Sequence, residues 1–224
     1  MNADPLGELV ARSLGAAAPD VTDLRTEPVP GRPDQERVRF RLRGEEASLV
    51  LRRLDRERPL EAQLLPFLAR KTDRVPVVRS RGVPPPAARA RPWILVEDLT
   101  RDPPCDDPVA IVRAKVAVER AVARDAPALR ALGVLVGGPA ADELAAWPAV
   151  LVHGSLTRDR ARLTARGVVL TDWDGAHLGA GLLDVARLAA DAGTDLAALA
   201  EEYARAYERG VTAGEIAVLR ALGW

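Results

Sequence analysis

The sequence predicts an α/β protein of the α+β kind, with short strands gathered toward the N-terminus and helices filling most of the rest. Three observations carry this. Arg37, Arg39 and Arg41 alternate with Val38, Phe40 and Leu42, the period of two expected of a strand with one wet and one buried face. Beyond Pro108 the chain offers run after run that reads as helix, up to Leu222. Finally, 224 residues with 48% hydrophobic and 29% charged side chains describe an ordinary globular protein that can bury a sizeable core. Aromatics are only 4%, so Leu, Val and Ala must do the packing.

Taken in order, residues 5–14 read as a short helix with Leu6, Leu9, Val10 and Leu14 on one face and Gly15 as its stop. Strands are expected over 21–29, 37–42 and 48–54, with Gly44, Glu45 and Glu46 turning the chain between the last two. A helix over 58–69 starts at Pro59 and is interrupted by Pro66. Strands over 75–78 and 93–96 flank a proline-rich loop at 83–92. Helices are then expected over 108–124, 127–132, 140–146, 182–192, 196–209 and 213–222, with loops at 102–108 and 136–139 where Pro, Gly and Asp cluster.

Charge and cysteine content narrow the function classes. Thirty-two basic residues balance thirty-two acidic ones, for a formal net charge of +0. That argues against a nucleic-acid partner held by a broad basic face. Lysine occurs only at Lys71 and Lys115, a bias toward arginine that reads as genome composition. The single cysteine, Cys105, excludes an intramolecular disulfide and fits a reducing cytoplasm. Neither a signal peptide nor an apolar run of about 20 residues is evident, so a soluble cytoplasmic chain with no membrane partner is expected.

The chemistry concentrates in residues 150–174, VLVHGSLTRDRARLTARGVVLTDWD. His153 and Gly154, a hairpin-length spacer, and a hydrophobic strand ending in Asp172 and Asp174 resemble the aminoglycoside phosphotransferase and choline kinase group of small-molecule kinases. The signature of that group is H-G-D-x-x-x-x-N followed by D-x-D or D-x-E. Two groups differ: Ser155 stands where the aspartate is expected, and Arg160 where the asparagine is. The resemblance implies a two-lobed, protein-kinase-like fold, with a small antiparallel-sheet N-lobe over 1–97 and a mainly helical C-lobe over 98–224.

It also implies roles. Asp172 and Asp174 resemble metal-binding carboxylates, His153 a brace of the loop backbone, and Asp184 in LLDVARL the anchor of that loop. Arg52 stands at the place of the phosphate-pairing lysine, Glu61 at that of its helix partner, and Glu97, Asp98 and Leu99 resemble the hinge. The loop PGRPDQE, between the first two strands, has one glycine where the family often has several. A ligand cleft is expected between the hinge and Asp172, taking ATP with Mg²⁺, or another small molecule.

Ser155 and Arg160 decide how that implication is read. A neutral hydroxyl is a poor base, and losing a general base costs on the order of 10² to 10⁴ in rate. Guanidinium has no acceptor atom and cannot ligate a metal. Asp159, the nearest substitute base, is expected to point elsewhere. Three readings stay open: a degenerate, pseudokinase-like homologue that binds nucleotide or a small ligand, with metal binding weakened; an active ATP-dependent phosphotransferase; and a partner-binding module with an empty cleft.

Overall fold

A computed structural model describes residues 5–57, 59–85, 90–137 and 144–222. They form two compact units, one of residues 1–62 with 77–101 and one of 63–76 with 102–224. The division differs from the single cut expected at residue 97: the smaller unit runs on to Arg101, and 63–76 group with the larger one. The fold is α+β, as expected.

In the smaller unit, helix α1 (Pro5–Ser13) precedes strands β1 (Val21–Val29), β2 (Arg32–Leu42) and β3 (Glu45–Arg53); helix α2 (Leu60–Leu68) begins here, and β4 (Val78–Gly82) and β5 (Trp93–Glu97) follow. The five strands form one antiparallel sheet in the order β1-β2-β3-β5-β4. Its buried face is the apolar half of the alternation: Val38, Phe40, Leu49, Leu51 and Leu95 pack with Val10 of α1. Burying each of these larger side chains contributes about 1.5–3 kcal/mol. The β2–β3 turn places Arg43 at φ 52 and Gly44 at φ 89, the paired positive φ values that a tight hairpin demands.

Two expectations are corrected here. The segment PGRPDQE is not a loop: Val29 pairs with Arg32, so only Pro30 and Gly31 turn the chain and Arg32 to Glu36 belong to β2. The strand expected over 75–78 instead begins at Val78 and reaches Gly82. Pro76 has no N–H to give a ladder, and the Val77 N–H goes to the Glu97 carboxylate at 2.8 Å.

The larger unit contains helices α3 (Pro108–Ala121), α4 (Ala126–Ala131), α5 (Leu182–Ala192), α6 (Leu196–Arg205) and α7 (Ala213–Ala221). Between α4 and α5 lie two short antiparallel pairs, β6 (Ala149–Val152) with β9 (His177–Ala180), and β7 (Ala161–Thr164) with β8 (Gly167–Leu170). The start of α3 is set by Asp107, whose carboxylate accepts from the Val109 and Ala110 amides at 2.9 and 3.2 Å, with Pro108 as the first helical residue. Thr212 and Glu215 form a capping box on α7. Most of the helix expected over 140–146 lies outside the described residues. Among the described residues, no helix is long and apolar enough to cross a membrane.

Candidate active site

In the larger unit the chain leaves β6 at Val152, makes a tight loop through His153, Gly154 and Ser155, and passes through a short turn at Arg158–Arg160 into β7. The loop is held by charge buried beneath it. Asp184, 1% exposed near the start of α5, accepts from the His153 amide at 2.7 Å and from the Gly154 amide at 2.9 Å. Gly154 has φ +85, and a Cβ there would lie 2.1 Å from the Gly175 carbonyl oxygen. Glycine is therefore required twice over, by conformation and by close approach.

Sequence reasoning found Asp184 and missed what stands behind it. Lys115 of α3 lies 3.5 Å from Asp184 Oδ2 and donates to Glu119 one turn on; both are buried. Tyr203 and Tyr207 donate to the same Glu119 carboxylate, Tyr203 at 3.1 Å and Tyr207 at 2.5 Å. Burial raises the Glu119 carboxyl above the usual carboxylate range, against the pull of Lys115. The signal was available: Lys115 is one of two lysines in a chain that otherwise uses arginine, and it sits four residues before a glutamate on a helix whose other buried residues are apolar.

His153 is fully buried, and its ring packs against Trp173 with centroids 4.6 Å apart. Its Nε2 lies 2.7 Å from the Thr171 carbonyl oxygen, so Nε2–H must be the donor. Burial, more than any other cause, pushes its pKa below the ordinary histidine value, with Arg160 adding to that and Asp184 opposing it. The ring is thus neutral near pH 7, and Nδ1 presents a lone pair to the Ser155 hydroxyl at 3.5 Å.

Arg160 completes the loop. Its Nη1 donates to Ser155 Oγ and lies 3.5 Å from both the Asp172 carbonyl oxygen and Asp174 Oδ1. Asp172, 5% exposed, ends β8 in the left-handed region at φ 63, ψ 62. For a residue other than glycine this conformation costs of the order of 1–3 kcal/mol and gathers at functional sites. Asp159 accepts from the Thr157 hydroxyl.

The donor set does not fit the two Mg²⁺ ions of phosphoryl transfer. Arg160 offers no oxygen, and the Ser155 hydroxyl lies against both Arg160 and His153, which leaves Asp172 and Asp174.

In the smaller unit, Arg52 of β3 donates to Glu61 of α2 at 2.7 Å; the pair is buried, not a surface contact, with side chains 10% and 1% exposed. Glu97 is occupied by the Val77 amide. Asp98 is raised by burial but pulled lower overall by Thr100, Ser48 and Arg37, whose Nε lies 3.0 Å away. Leu99 follows directly in the segment that ends this unit at Arg101.

The five-stranded antiparallel sheet and the mainly helical larger unit are those of the protein-kinase-like fold. Among solved structures, the chain is similar to a macrolide 2'-phosphotransferase from Brachybacterium faecium, with TM-score 0.61 and 21% identity over 89% of this chain and 82% of that one. It is also similar to a choline/ethanolamine kinase family protein from Mesorhizobium loti, with TM-score 0.55 and 18% identity over 88% and 75%. An amicoumacin kinase in complex with AMP-PNP, Ca²⁺ and Ami gives TM-score 0.56 and 10% identity, again over 88% and 75%. At these identities the likeness is one of fold. No protein-family model and no curated protein matches the sequence.

Proposed function

We propose that the chain is a degenerate member of the aminoglycoside phosphotransferase and choline kinase group, a pseudokinase of the cytoplasm that binds a nucleotide or another small phosphate-bearing ligand and does not transfer its phosphoryl group. The observation that carries this is the contact between Arg160 and Ser155. Where an acceptor hydroxyl would need a base, the loop offers a hydroxyl that faces the His153 Nδ1 lone pair and accepts from a guanidinium. A neutral hydroxyl is a poor base, and the guanidinium beside it offers a metal no ligand atom.

In the smaller unit, taken by itself, Arg52 is a buried cation held by Glu61, at the place of the resembled family's phosphate-pairing lysine. Asp172 and Asp174 are the remaining carboxylates, and Mg²⁺ binding between them is weakened by Arg160. The amicoumacin kinase complex with AMP-PNP and Ca²⁺ makes a nucleotide the first ligand to test.

The test is calorimetric titration of ATP together with a turnover assay on aminoglycosides, choline-like alcohols and sugars. ATP should bind without measurable phosphorylation. Robust turnover that is lost in Ser155→Ala would instead establish the active phosphotransferase. If no nucleotide titrates at all, the chain is a partner-binding module.

A further inference from the structure

We propose that Arg160 is the resident cation of this site, and that the site takes the phosphates of a nucleoside triphosphate without a divalent metal. The inference rests on the reading just given, that the loop meets phosphate.

The placement of the guanidinium argues for it. Nη1 sits among Ser155 Oγ, the Asp172 carbonyl oxygen and Asp174 Oδ1, between the loop and the D-x-D turn. Among the described residues every hydrogen bond of this side chain is made through Nη1, which leaves the Nε and Nη2 edge for a ligand. The side chain is 25% exposed, so that edge is reachable from solvent. Its backbone is fixed: the Arg160 amide donates to the Thr157 carbonyl at 3.2 Å, and its own carbonyl accepts from the Thr171 amide at 2.8 Å and the Thr171 hydroxyl at 3.2 Å.

Arg160 brings a permanent positive charge beside the Asp172 backbone and the Asp174 carboxylate. A metal would have to approach a fixed cation, whereas a phosphate oxygen would find one already in place. The planar guanidinium fork matches phosphate geometry and costs no metal recruitment.

The experiment is titration of ATP into the wild-type chain, Arg160→Asn and Arg160→Lys, each with Mg²⁺ and with chelator, alongside Mn²⁺ titration followed by electron paramagnetic resonance. Wild-type affinity should change by less than about threefold on chelation, and Arg160→Asn should weaken metal-free binding by about tenfold or more, the worth of one charge-assisted contact. Arg160→Lys should keep metal independence, and Arg160→Asn should gain Mn²⁺ binding that the wild type lacks. ATP binding in the wild type that collapses on chelation, or equal Mn²⁺ binding in wild type and Arg160→Asn, overturns this inference and leaves the nucleotide reading standing. Absence of ATP binding under both conditions overturns both.

Discussion

The two ends of the loop at His153–Arg160 are built by different rules. Beneath it, Asp184, Lys115 and Glu119 are each at most 2% exposed, and their charges are met by one another, by backbone amides and by two tyrosine hydroxyls. At its outer end, Ser155, Arg160 and Asp174 meet in a partly exposed cluster in which the Asp174 side chain is 66% exposed. The buried half keeps what the resembled kinase motif needs to hold its shape. At the outer half, Ser155 and Arg160 stand where that motif has an aspartate and an asparagine. The energy that fixes the loop's shape comes from buried charges outside this cluster.

The comparison breaks most severely at Asp184. Replacing it by alanine removes the acceptor of two backbone amides and leaves Lys115 facing a void, so stability should fall by about 3–5 kcal/mol, measured by urea denaturation. A loss under about 1 kcal/mol would mean that the buried half does not hold the loop.

The two lysines sharpen it next. Lys115→Met should cost about 3 kcal/mol, at the low end for a broken buried pair, because burial already raises the Glu119 carboxyl above the usual range and both tyrosine donors remain. Lys71→Met removes an exposed pair with Asp125 at 3.2 Å and should cost less than about 1 kcal/mol. Equal losses from the two substitutions would contradict the contrast between buried and exposed charge.

The smallest effect is a pH dependence. Because the folded-state pKa of His153 is depressed, the stability it contributes is intact above the ordinary histidine value of about 6.5 and is lost as pH falls below it, toward the folded value. Between pH 7.5 and 5.5 the wild type should lose stability at up to about 1.4 kcal/mol per pH unit more steeply than His153→Gln, measured by denaturant melts at each pH. Parallel curves would show that the imidazole is not buried in its neutral form.

Legibility in the sequence followed the physics of each part. Periodicity placed α5 to the residue, because its apolar pattern is uninterrupted and its end is marked by Gly193 in a left-handed cap. It failed at β4, where Val78 to Gly82 carries two arginines and a serine and so resembles a loop. It failed again at PGRPDQE, since turn residues were read as loop although five of the seven lie in β2, with Arg32, Gln35 and Glu36 paired across strands. The site's outer residues were legible because a motif names them one by one. Lys115 and Glu119 were not, because charged residues on a helix are ordinarily solvated, and only tertiary packing reveals that these two face inward.

Phosphoryl transfer is the direct test of the proposed pseudokinase. Wild type and the double variant Ser155→Asp with Arg160→Asn should be compared for ATP turnover in Mg²⁺, after circular dichroism and urea melts show that both are folded. The expected result is no turnover above background in the wild type, and measurable hydrolysis or transfer in the double variant, which regains a base and a metal-ligating amide on an unchanged scaffold. Robust wild-type turnover that the Ser155→Ala substitution abolishes would contradict it.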